Sequence, residues 1–161
     1  MPIILGIDPG LVTTGYGVIK QTKNTITPIA HGLIKPNTKA PMAERLKTLN
    51  QRLLEVIDLY HPDEAAIEET FVNKNPMSAL KLGMARGVLL MTPALKEIPV
   101  YEYGANKIKK TIVGVGHADK DQVMMMVGRL LPKIMGILTP DSADALAVAL
   151  CHAHHALLRK I

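Results

Sequence analysis

Ile3-Ile4-Leu5-Gly6-Ile7-Asp8-Pro9-Gly10 decides the fold. Its apolar, mostly β-branched run is the mark of a strand buried on both faces. The run ends in Asp8-Pro9-Gly10. Proline removes a ladder donor and glycine permits a sharp turn, so the strand stops there. Asp8 is left as a carboxylate at the last position of a core strand. An ionised group there is costly unless a cation or hydrogen bonds hold it. Two readings stay open at this point. Asp8 caps the strand end by accepting from the turn's own amides, or it is a cation ligand.

Composition narrows the class. At 161 residues, 48% of them hydrophobic, the chain reads as one globular domain, 1–161. No apolar run reaches the roughly 18 residues of a membrane span. The N-terminus lacks the basic region and cleavage site of a signal peptide. A single cysteine, Cys151, rules out an internal disulfide framework and fits a reducing cytoplasm. A net charge of +5 points to an anionic partner, most commonly nucleic acid.

Residues 13–19 alternate and are β-branched, a second strand, with Asn24 in the turn beyond. Residues 26–34 suggest a third strand, with Pro28 favouring an edge, so the first three form an antiparallel meander. Met42, Leu46, Leu49, Leu53, Val56 and Ile57 recur at helical spacing until His61-Pro62-Asp63. Ala65-Ala66-Ile67 is a short buried strand ending at Glu68. Asn73-Lys74-Asn75-Pro76 breaks the chain before a helix at about 78–95. One face of that helix carries Leu80, Gly83, Met84, Gly87, Val88 and Met91. Glycines on a helical face cost stability, and make sense where another helix approaches closely. That neighbour is either in the same chain or in a second copy. A fifth strand at 99–103 precedes Lys107, Lys109 and Lys110, a loop at 114–120, and a helix at 124–131. Thr139-Pro140-Asp141 opens a last helix, apolar almost all round from Ala145 to Cys151. The expected architecture is α/β, a mixed five-stranded sheet flanked by helices on both faces.

Carboxylates now stand at two strand ends, Asp8 and Glu68. Asp141 and Asp144 share a helix face in the first turn of the last helix. Acidic residues there also have a duller role, complementing the dipole and capping free amides. That role leaves the strand ends unexplained. Four converging carboxylates repel one another unless cations sit between them, and all-oxygen ligation suits Mg²⁺ or Mn²⁺. Two such ions about 4 Å apart can activate a water and stabilise the leaving oxygen of a phosphodiester. His152, His154 and His155 lack the spacing of a zinc helix and read as a solvated helix end, and Cys151 reads as core.

These residues carry a resemblance. Ile7-Asp8-Pro9-Gly10 with Thr14-Gly15-Tyr16-Gly17 looks like the opening of the RuvC family of Holliday-junction endonucleases. Ile67-Glu68, Asn75, Ser78 to Gly83 and Ala85-Arg86-Gly87 resemble its second motif. Lys109, Thr111, Val113-Gly114, Gly116 and Lys120 resemble its basic segment, and Asp141 with Ala143 to Ala147 its last motif. The chain departs at Leu11-Val12, where many relatives are more polar.

The resemblance implies a ribonuclease-H-like (integrase superfamily) fold, a homodimer, and Mg²⁺-dependent cutting of four-way junction DNA. It implies two ions per site, with Mn²⁺ able to substitute. It carries catalytic and metal-binding roles onto Asp8, Glu68, Asp141 and Asp144. It carries phosphate contacts onto Lys109 and Lys120, with Lys120 also catalytic, and a junction-probing ring onto Phe71. Lys74, Lys81, Lys107 and Lys110 complete the expected DNA-binding set. Work alongside the RuvA and RuvB branch-migration proteins is implied too. The competing readings are an ATPase of the actin and sugar-kinase type, another nuclease of this fold, and an inactive junction-binding module. The first needs two such domains, and the last would not keep clustered carboxylates.

Overall fold

Alternation along the first strand sets the layers. In the computed structural model, which describes residues 1–70 and 75–159, β1 (Ile3–Asp8), β2 (Thr14–Gln21) and β3 (Ile26–Ile34) form the antiparallel meander. β4 (Glu64–Glu69) pairs parallel with β1, and β5 (Val100–Gly104) pairs parallel with β4. The strand order is β3-β2-β1-β4-β5. β3 is an edge strand, the position Pro28 favours. Ile19 faces Pro28 while Val18 faces Ala30, so Ile29 is bulged out beside the proline.

Successive β1 side chains point to opposite sides, and both sides are covered. Leu5 and Ile7, with Val18 and Ile67, pack against Leu49 and Leu53 of α1 (Met42–Tyr60) and Leu89 of α2 (Pro76–Leu95). Ile4, Ile19 and Ala66 pack on the other side against α5 (Pro140–Leu158), supported by α3 (Ala105–Val113) and α4 (Lys120–Leu130). α5 is buried from Ala145 to Ala153 because it lies directly on the sheet. It comes so close because Gly6, Gly15 and Gly17 present no side chain to it.

Several boundaries differ from the sequence reading, each for a local reason. Pro76 starts α2 rather than preceding it, since the Asn75 side chain accepts from the amides of Met77 and Ser78 and proline is tolerated at the first helical position. Lys107, Lys109 and Lys110 belong to a helix, α3, whose inward residues are only Ile108 and Ile112. α4 begins at Lys120, four residues before the expected 124, because Asp119 and Gln122 form a reciprocal capping box. His152 is not part of a solvated helix end. It is buried, with Nε2 2.5 Å from Glu64 Oε2 and Nδ1 2.8 Å from Tyr103 Oη. Among the described residues, no helix is long and apolar enough to cross a membrane.

Candidate metal centre

Ile4, Gly6 and Asp8 alternate onto the α5 face of the sheet, as do Ala66 and Glu68. β1 and β4 are parallel neighbours with Ile7 beside Ile67, so Asp8 and Glu68 end level with each other. The carboxyl ends of adjacent parallel strands are where open α/β sheets form their ligand crevices. α5 brings its first turn to the same place. Thr139 caps it through a box with Ser142, which fixes the helix start and the positions of Asp141 and Asp144.

Carboxylate oxygens of Asp8, Asp141 and Asp144 all lie within 4.8 Å of one another. Burial, a hydrogen bond shared with Glu68, and the charges of Glu68, Asp144 and Asp141 push Asp8 from 3.8 up to about 9. Asp144 rises to about 6, chiefly through burial, while Lys120 and Lys109 pull it back down. Lys120 Nζ stands 4.0 Å from Asp144 Oδ2 at the start of α4, and Lys109 approaches from α3. Four carboxylates thus meet two lysines, leaving an excess of negative charge on hard oxygen donors. That donor set fits a divalent cation with a preference for oxygen.

The carboxylates and the two lysines expected from sequence are therefore together. Lys107 and Lys110 project from the other flank of α3, toward the end of α5. Lys81 is exposed on α2 and shares a crevice with Gly10, Leu11 and Arg45, whose Nη2 donates to the Leu11 carbonyl at 2.8 Å. Phe71 and Lys74 lie outside the described residues. One residue was not anticipated as part of the site. Arg86 donates through Nε to the Glu68 carbonyl at 3.3 Å and through Nη2 to Glu102 at 2.7 Å. It steadies the strand end that carries Glu68. Its signals in the sequence are its place in Ala85-Arg86-Gly87, part of the stretch that resembles the second motif, and a cation on the sheet-facing side of α2.

Residues 4–152 match the family model described as crossover junction endodeoxyribonuclease RuvC. The crossover junction endodeoxyribonuclease RuvC of Xanthobacter autotrophicus is 56% identical over 152 residues, covering 94% of this chain and 89% of that one. The protein of the same name from Paramagnetospirillum magneticum is 54% identical over 152 residues, covering 94% and 91%. Among solved structures, T. thermophilus RuvC in complex with a Holliday junction substrate superposes with a TM-score of 0.90 at 32% identity. It covers 99% of this chain and 97% of the other.

Proposed function

The chain belongs to the RuvC family of crossover junction endodeoxyribonucleases, and we propose that Asp8, Glu68, Asp141 and Asp144 are its catalytic carboxylates. It is a nuclease that resolves Holliday junctions, with the divalent-metal dependence of its family. The observation that carries the site assignment is the convergence of Asp8, Asp141 and Asp144 within 4.8 Å, with Glu68 hydrogen-bonded to the first.

In this reading the four carboxylates hold Mg²⁺, with Mn²⁺ as a substitute and two ions per site. Bound there, the metal would supply Lewis acidity toward the phosphodiester and ease loss of a proton from the attacking water. The protein's part is preorganisation. Two strand ends and a capped helix start hold the carboxylates rigidly, so they need no rearrangement as charge develops. Lys120 and Lys109 place positive charge on the rim, where the oxygens of the reacting phosphate gather negative charge. The decisive experiment incubates the protein with a synthetic four-way junction and with an equal-length duplex, in Mg²⁺ and in chelator. Cutting confined to the junction with metal is expected. Glu68→Gln, Asp141→Asn and Asp144→Asn should each abolish cutting yet retain junction binding. A variant that cuts at the parent's rate removes that residue from the site.

The exposed face of α2 supports a homodimer. Met77, Leu80, Met84 and Met91 are exposed on it, and a Cβ built on Gly83 or Gly87 meets nothing within 4 Å. Nothing in the described part of the same chain packs there, which supports a second copy as the close neighbour that these glycines allow. Two-fold symmetry would then set two sites against two strands of a symmetric junction. Gly87→Leu has open space in the monomer, so the fold should survive while dimers are lost. Sedimentation velocity would show this as a shift to the monomer mass, and an unshifted dimer would move the seam elsewhere. RuvA and RuvB as partners and a cytoplasmic location complete the reading, the latter supported by one buried, unpaired thiol, Cys151.

A further inference from the structure

Away from the carboxylates, α3 and the last turns of α5 enclose an open groove of about 450 Å³ lined by Lys107, Lys110, Thr111, His154 and His155. No carboxylate lines it, and neither lysine makes an ion pair among the described residues. The groove is built rather than incidental. Thr111 Oγ1 donates to the Lys107 carbonyl at 2.7 Å and lies 3.2 Å from His155 Nε2. The His155 ring stacks on Tyr103, and Lys107 Nζ sits 5.4 Å from the centre of the same ring. Burial, then the nearby charges of Lys107, His154 and Arg159, hold His155 below its ordinary value. Among the described residues, this is a concentration of positive charge with no anion lining it.

Its position relates it to the metal centre. Asp144 and His155 are both on α5. Eleven residues make about three turns plus 20°, so the two lie on one face, about 16 Å apart along the axis. α3 runs beside that face, with Lys109 acting on Asp144 and Thr111 against His155. A duplex lying along α5 advances 3.4 Å per base pair, so on that placement 16 Å corresponds to about five base pairs. We propose that the groove between α3 and the end of α5 is a second phosphate-backbone contact, gripping a duplex arm of the substrate about five base pairs from the cut. The proposal rests on the junction-nuclease reading above. Backbone contacts of this kind fix register without reading sequence.

The test measures affinity for a four-way junction in chelator, so that nothing is cut, for the parent and for Lys107→Ala/Lys110→Ala. Each phosphate contact contributes about 0.9 to the slope of log affinity against log salt, so the double variant should flatten that slope by about 1.8. Neutral methylphosphonate linkages placed four to six positions from the cut should weaken the parent and leave the double variant unaffected. Should the double variant melt early, Lys110→Glu alone serves, since Lys110 does not touch the Tyr103 ring. An unchanged slope, or equal sensitivity of parent and variant to the neutral linkages, overturns the groove as a contact. A parent that does not distinguish the junction from the duplex overturns the junction reading itself, a result separable from the other.

Discussion

In chelator at pH 8, Asp8→Asn should melt about 6–12 °C above the parent, and in Mg²⁺ it should lose all cleavage. The expectation follows from the direction in which the site shifts its own acids. Asp8 stands at about 9 in the fold and Asp144 at about 6, against 3.8 for each unperturbed. A carboxyl whose folded value is raised contributes its stability below the unfolded value and loses it as pH rises through the folded one. The metal-free parent therefore weakens steadily between about pH 4 and 9. Asparagine keeps the size of Asp8, donates to Glu68 and carries no charge to desolvate. The relief is on the order of 3 kcal/mol at pH 8, and for a chain of this size each kcal/mol moves the midpoint by about 2–4 °C. At pH 4 the parent's Asp8 holds its proton, so the two proteins should melt together. Adding Mg²⁺ reverses the order at pH 8, because the ion stabilises only the state that binds it. Thermal melts at both pH values, with and without metal, decide the matter. An Asp8→Asn protein no more stable than the parent at pH 8 in chelator would mean that the carboxylates do not converge in solution.

The carboxylates were legible because a charge at the end of an apolar strand conflicts with its setting. Asp8 and Glu68 each break a buried run, and such conflicts concentrate at functional sites. The sheet was legible for the related reason that a continuous apolar run at 3–7, alternation at 13–19 and the turn residues between them agree along 3–34. What the sequence concealed depended on partners distant in the chain. His152 looked like one of three terminal histidines until Glu64, 88 residues away, closed on it. α3 hid because a nine-residue helix with two inward residues and a side-chain-free cap at Gly104 offers little periodicity and no start signal. The start of α4 was readable, since Asp119 with Gln122 is a capping box in the sequence itself, but the glycines before it suggested a longer loop. The glycines of β2 were the deepest omission. In a strand they read as weak propensity, and only the helix lying on them gives the reason.

Gly15→Ala should lower cleavage about a hundredfold and cost about 1–3 kcal/mol of stability. Gly15 pairs with Asp8 across β1 and β2 and faces α5. A Cβ there would sit 2.1 Å from the Asp141 carbonyl oxygen and 2.6 Å from its carbon, both backbone atoms that no rotamer change can move. The helix cannot simply slide along the sheet, because its next turns are held as tightly. A Cβ added at Gly6 would sit 2.1 Å from the Ala145 carbonyl oxygen, and one at Gly17 would sit 2.6 Å from the Leu146 side chain. The start of α5 must therefore lift and carry Asp141 and Asp144 away from Asp8 and Glu68. Overpacking of this kind costs about 1–3 kcal/mol, and a shift of about 1 Å in a positioned group can cost a hundredfold in rate. Gly128→Ala is the matched control. It lies within α4, its Cβ meets nothing within 4 Å, and alanine there should stabilise the helix by up to about 1 kcal/mol with cleavage unchanged. Titrating Mg²⁺ against the melting temperature separates the two effects. Gly15→Ala should need more metal for the same gain, because its ligands no longer meet, whereas Gly128→Ala should follow the parent curve. If Gly15→Ala cleaves at the parent's rate with the parent's metal dependence, close backbone approach is not what sets the carboxylates in place.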